Sequence, residues 1–164
     1  MTRETILTKF LPLPISLALL LAACGASIAS AAPLQFVEQR GAISHTLLVD
    51  NLKKDAKGVP SFDYTYTQQS GSCKYVLSGK AVAGHEEVDG KLELEIYNPE
   101  GPNGKQAPAI MTFYAGEDNF TLPVNDVLKP RSVTYLKLLD AAARAKSCDK
   151  KADRIEIVFT KTAR

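Results

Sequence analysis

The strongest constraint on the fold is a period of two in the apolar residues. Phe62, Tyr64 and Tyr66 alternate with Asp63, Thr65 and Thr67, and Ile155, Ile157 and Phe159 recur at every second position near the C-terminus. Successive side chains of a strand point to opposite faces, so this spacing buries one face of a sheet and wets the other. The same reasoning predicts strands over residues 34–37, 46–49, 73–77, 80–87, 91–98, 109–115, 120–124 and 132–138. In 109–115 apolar residues fall on both faces, Ile110 and Tyr114 on one and Met111 and Phe113 on the other, which predicts a central strand. Pro123 donates no hydrogen bond and therefore predicts an edge or a bulge for 120–124. Asp140 is placed to cap Ala141-Ala142-Ala143-Arg144-Ala145-Lys146, predicting a short helix over 140–147 with both cations in its last turn. About eight or nine short strands and one small helix predict an all-β, mainly antiparallel fold, either a small β-sandwich or an open barrel.

Turn chemistry divides these strands. Gly41 separates the first two, residues 53–60 read as a polar connection, and Ser70-Gly71-Ser72 turns the chain into Cys73. Asp89-Gly90 is a strong hairpin signal. A two-residue loop places Glu86 opposite Glu93, whereas a three-residue loop of Val88-Asp89-Gly90 with a bulge at Gly90 places Glu87 opposite Lys91 and His85 opposite Glu93. The second register pairs unlike charges and puts Val82, Leu92, Leu94 and Ile96 on one face, and it is the one predicted. Asn98-Pro99-Glu100-Gly101-Pro102-Asn103-Gly104, continuing to Pro108, reads as a long exposed loop. Loops of that length often bind, so Asn98, Pro99, Glu100, Gly101 and Asn103 are candidate binding residues.

The N-terminus addresses the compartment. Arg3 and Lys9 precede an apolar run from Phe10 to Ala23 that ends in small residues, the pattern of a secretory signal peptide. The run is about 14 residues and holds Pro12 and Pro14, short of the roughly 20 that a membrane-spanning helix needs. Leu21-Ala22-Ala23-Cys24 resembles the lipobox of the bacterial lipoprotein class, which implies acylation of Cys24 and a membrane attachment through lipid. Ala29-Ser30-Ala31 offers ordinary signal peptidase a rival cut. The expected organisation is a signal peptide over 1–23 (or 1–31), a flexible Gly/Ala/Ser-rich tether over 24–33, and one β-rich domain over 34–164. Either cut leaves Cys73 and Cys148 as the domain's two cysteines, and in an oxidising compartment such a pair predicts a disulfide.

The chain carries 20 Lys and Arg against 18 Asp and Glu, so the total charge shows no nucleic-acid footprint. The distribution is less even. Residues 129–164 hold ten cations against four acids, whereas 85–100 hold Glu86, Glu87, Asp89, Glu93, Glu95 and Glu100 against Lys91 alone. No His-Glu-x-x-His, Gly-x-Ser-x-Gly, phosphate-cradling or dinucleotide-binding glycine motif is present. The two histidines, His45 and His85, do not form a metal motif, and the acids of the hairpin read as solvated rather than as a glycosidase pair. No cofactor, metal or catalytic residue is therefore expected.

These features predict a non-catalytic envelope lipoprotein, or periplasmic β-domain, with a binding or structural role and an envelope protein as partner. Its contact surface would be the loop at 99–104 or a sheet edge near Phe120. Two other classes stand beside that reading. The acidic hairpin suits an inhibitor of a basic enzyme such as lysozyme, and a barrel could enclose a small ligand.

Overall fold

The computed structural model describes residues 32–101 and 104–161. Its strands are β1 (Leu34–Arg40), β2 (Ile43–Lys54), β3 (Pro60–Ser70), β4 (Cys73–Ala83), β5 (His85–Val88), β6 (Lys91–Leu94), β7 (Ile96–Tyr97), β8 (Ile110–Ala115), β9 (Asp118–Pro123), β10 (Ser132–Leu138) and β11 (Arg154–Thr160). One helix, α1 (Ala141–Lys146), lies between β10 and β11. The leader, the lipobox-like stretch with Cys24 and the rival cut at 29–31 lie outside the described residues.

Nine strands form one antiparallel sheet in the order β1-β2-β3-β4-β8-β9-β10-β11, with β7 paired to β8. Its two ends meet. Arg40 Nη1 of β1 donates to the Glu156 carbonyl of β11 at 2.7 Å, and the Phe36 and Phe159 rings lie 6.5 Å apart. The sheet thus curls into a nearly closed barrel, the open-barrel form of the expected all-β fold.

The period of two is realised as burial. Phe62, Tyr64 and Tyr66 of β3, Phe113 of β8, Phe120 of β9, Tyr135 of β10 and Ile155, Ile157 and Phe159 of β11 all point inward and are buried. Rings fill the interior: Phe62–Phe113 at 5.1 Å, Tyr64–Phe120 at 4.7 Å, Tyr66–Tyr135 at 4.7 Å and Phe120–Tyr135 at 4.8 Å between centroids. These are separations at which aromatic pairs attract beyond their buried area.

Three local expectations are corrected. The Asp89-Gly90 loop has two residues, not three: Val88 pairs with Lys91, Glu87 with Leu92, Glu86 with Glu93 and His85 with Leu94. Asp89 and Gly90 both have positive φ, 49° and 72°, the type I′ geometry whose twist matches the flanking strands. The like-charged Glu86 and Glu93 are tolerated opposite each other because both are exposed to water. Val82 and Ile96 do not face each other either; Val82 pairs with Tyr114 and Ile96 with Met111. Second, β9 lies between β8 and β10, and Pro123 is its last residue, where no further donor is needed. There is accordingly no sheet edge at Phe120, which is fully buried. The central position expected for β8 is borne out: β4 and β7 flank it on one side and β9 on the other, with Met111 and Phe113 buried and Tyr114 facing solvent. Third, the connection before β3 is shorter than expected, because β2 runs on to Lys54 and β3 begins at Pro60. Asp55 Oδ1 organises the five residues between them, accepting from the backbone N–H groups of Lys57 and Val59 at 2.9 Å each.

The helix forms as the cap predicts: Asp140 accepts from the Ala143 N–H at 2.7 Å, and Arg144 and Lys146 occupy the last turn. It delivers Cys148 to Cys73, with the two Cα atoms 5.7 Å apart in a disulfide. Gln68 of β3 reinforces the junction, accepting from the Cys148 N–H at 3.0 Å. The cross-link closes a separation of 75 residues. Replacing both cysteines with serine is expected to cost at most about 4–5 kcal/mol of unfolding free energy, measured by urea titration, with the loss carried largely by the unfolded state.

A second prediction concerns pH. His45 on β2 is buried, with Nδ1 2.7 Å from the Tyr66 hydroxyl. Burial, followed by the nearby Arg40 guanidinium, holds its imidazole below the usual 6.5. The unfolded chain then takes up a proton more readily than the folded one, so this contribution is present above pH 6.5 and is lost as pH falls below it. The melting temperature should drop on acidification below 6.5, and His45→Gln should flatten that part of the profile; an unchanged slope would reject the assignment.

Candidate functional site

The loop singled out from sequence is closed on itself. Glu100 bridges to Gln106, the Gly101 N–H donates to the Lys105 carbonyl at 2.7 Å, and the Ala107 N–H donates to the Pro99 carbonyl at 3.0 Å. A Cβ on Gly101 would lie 2.6 Å from the Lys105 carbonyl oxygen, so the turn excludes a side chain there. Of the candidate binding residues, Asn98, Pro99, Glu100 and Gly101 belong to this compact turn, and Asn103 lies outside the described residues.

The neighbouring hairpin is more open. β5 and β6 pair only with each other, as a two-stranded arm separate from the barrel sheet. The break comes at Gly84 and Glu95, where the Gly84 N–H donates to the Thr112 carbonyl and the Glu95 N–H to the Gly84 carbonyl, each at 3.0 Å. A Cβ at Gly84 would meet the Glu95 carboxylate and come within 3.0 Å of the Tyr114 ring, so a side chain there requires the exposed Glu95 side chain to move. Every β5 side chain is exposed, and Glu86, Glu93 and the tip residue Asp89 face water. Lys57 Nζ reaches Glu87 at 2.6 Å, a fully exposed pair in which each partner favours the other's charge, lowering the Glu87 carboxyl and raising the Lys57 ammonium. Such a surface pair contributes little stability.

An apolar patch lies at the root of the arm. Val82 and Tyr114 are paired and exposed on the outer face, and Tyr97, 63% exposed, pairs with Ile110 four residues away along β8. The Tyr114 hydroxyl donates to Glu95 Oε2 at 3.3 Å, and partial burial together with that carboxylate raises its pKa. Aromatic anchors bordered by charges are the usual composition of a protein-binding surface.

Chemistry of a different kind is buried. Asp118 of β9 accepts at Oδ2 from the Tyr64 hydroxyl of β3 at 2.9 Å and from the Tyr135 hydroxyl of β10 at 3.0 Å, while Lys137 of β10 pairs with Oδ1 at 2.5 Å. Burial first, then the Asp118 charge, pushes both tyrosines well above the ordinary phenol range, so they stay protonated donors. This cluster escaped the sequence reading because its donors lie 17 to 54 residues from Asp118 and belong to no motif. His45 and His85 are not brought together: one is buried against Tyr66, the other sits on the arm with Nδ1 3.3 Å from the Ala83 carbonyl. Among the described residues no three His, Cys, Asp or Glu side chains converge as a metal site, and no helix is long and apolar enough to cross a membrane.

Replacing Asp118 by Ala should cost about 3 kcal/mol in urea unfolding, because two hydroxyls and an ammonium lose their acceptor. Lys137→Met should cost less, since Asp118 keeps both tyrosines. Equal losses would show that the ion pair, not the carboxylate hub, carries the stability.

Compared with protein-family models, curated proteins and solved structures, the chain matches none.

Proposed function

We propose that the protein is an exported, non-catalytic binding domain, an envelope lipoprotein or soluble periplasmic β-domain, that captures a cationic protein partner with the β5–β6 arm and the patch at its root. The observation that carries this reading is the arm itself, which leaves the barrel as its own two-stranded sheet and holds Glu86, Asp89 and Glu93 exposed. A net negative surface on this hairpin raises the encounter rate with an oppositely charged protein, and Tyr97, Val82 and Tyr114 supply area for the contact that follows. Inhibition of a basic enzyme, lysozyme for instance, is the specific form of this function that the same surface favours.

The other readings draw less support. A carrier needs an interior with room for its ligand, and this barrel is packed with aromatic rings. A glycosidase-like site needs two carboxylates facing one substrate, whereas Asp118 is buried and bound to three donors. Membrane attachment rests on the lipobox-like Cys24 and is proposed on that sequence alone; intact-mass analysis of the membrane fraction would register its acyl chains.

The test uses the purified protein and lysozyme as a cationic probe. Binding should weaken steeply with added salt, and Glu86→Lys with Glu93→Lys should lower affinity at least tenfold while leaving the melting temperature near that of the parent. Tyr97→Ala should lower affinity without altering the salt dependence. Muramidase activity undiminished at excess protein removes the inhibitor form. A pull-down from envelope extract that recovers the same proteins with the parent and the charge-reversed arm removes the proposal.

A further inference from the structure

The barrel wall has a gap. β4 is bonded to β3 along nearly its whole length, from Cys73 opposite Ser70 to Val82 opposite Ser61. On its other side, among the described residues, β4 is joined only by β8, and only at Val82 and Ala83. The reason is the length of β8. Tyr114 sits opposite Val82, so β8 ends one residue later at Ala115, where the chain turns at Gly116, with φ 64°, into β9. Residues 73–80 therefore run past the end of their neighbour with one edge open.

Burial along β4 agrees. The inward-facing positions of β3 are covered, but on β4 Leu77 is only half-buried and Gly79 is exposed. Gly79 leaves space for the Tyr64 ring, whose Cε1 would lie 3.0 Å from a Cβ there. Beside this edge runs an open groove of about 690 Å³, with Lys74, Tyr75 and Leu77 on one bank and Lys137, Ala143 and Lys146 on the other. At the strand rise of about 3.3 Å per residue, the four β4 residues that line it span about 13 Å, enough for a short extended segment.

The charge of the groove selects among occupants. Neither Lys74 nor Lys146 takes part in an ion pair among the described residues. Lys137 is balanced by Asp118 beneath it, and the Asp140 carboxylate accepts from the Ala143 N–H as the helix cap. With Lys137 matched by Asp118, the lining leaves Lys74 and Lys146 against Asp140, a net of one positive charge, and both lysines are exposed. An unpaired strand edge offers alternate N–H and C=O groups to an added strand, and flanking side chains decide which strand fits. We propose that the open edge of β4 is a strand-addition site for an extended acidic peptide of a partner protein, which completes the barrel wall between β4 and α1. This surface is separate from the β5–β6 arm, and neither proposal depends on the other.

The test uses the full protein and a fluorescein-labelled peptide alternating valine and glutamate, with two controls: the same peptide N-methylated at every second amide, and a valine–lysine peptide. The glutamate peptide is expected to bind by anisotropy, with at least tenfold weaker binding of the N-methylated form and of a Lys74→Glu/Lys146→Glu variant. Both lysines are exposed, so that variant should fold. Amide exchange followed by NMR should show that every second N–H of residues 74–80 gains protection only when the peptide is present. Equal binding of the N-methylated peptide, or protection confined to the arm, overturns the proposal. So does protection of those β4 amides without peptide in a dimeric protein, which would assign the edge to a second copy.

Discussion

The structure depends on one carboxylate. Asp118 stands at the start of β9 and holds the hydroxyls of Tyr64 and Tyr135 and the ammonium of Lys137. β3 lies three places from β9 in the order of the sheet, so the Tyr64 bond crosses the barrel, whereas Tyr135 and Lys137 reach Asp118 from the adjacent strand β10. Ladder hydrogen bonds hold each strand to its neighbour but say nothing about how far the sheet curls. A buried charge must find its donors or bear a large desolvation cost, and the donors it finds set which walls face each other. The carboxylate therefore fixes the curvature that the aromatic rings then fill.

The clamp also makes the gap in the wall tolerable. Because Tyr64 ties β3 directly to β9, and through Asp118 to β10, β4 need not be zipped along its full length to keep the barrel together. The far end of β4 is secured by other means, through Cys73 to Cys148 and through Gln68 to the Cys148 N–H. Disulfide, polar clamp and short β4–β8 ladder each hold a different part of the same wall. The surfaces proposed to bind are the ones these ties do not use: the hairpin that leaves the barrel sheet at Gly84 and the open edge beyond Ala81.

Much of the core was legible from spacing. Inward residues of β3 and β11 follow the period of two because a barrel is half-buried everywhere, and the Asp140 cap and the cysteine pair follow local or compositional rules. The hairpin shows where such reasoning stops. Charge pairing favoured a three-residue loop, but Asp89 and Gly90 both adopt positive φ, and local backbone twist outweighed a repulsion that water screens. The loop from Asn98 to Pro108 read as long and exposed, and its described residues are largely exposed, but the bridge between Glu100 and Gln106 is a pairing that turn composition does not announce. Pro123 read as an edge signal, yet a strand's last residue satisfies the same constraint.

The sequence by itself determined strand propensity, inward and outward faces, the helix cap and the cysteine pair, because each depends on neighbours within a few residues or on simple counting. Which strands adjoin, where the wall opens and which charges meet were decided only by the tertiary structure. Asp118 and its three donors come from three strands, and the open edge of β4 exists because β8 happens to end opposite it. Such features are properties of closure, and closure is a relation between residues that local chain stiffness and local hydrogen bonding do not encode.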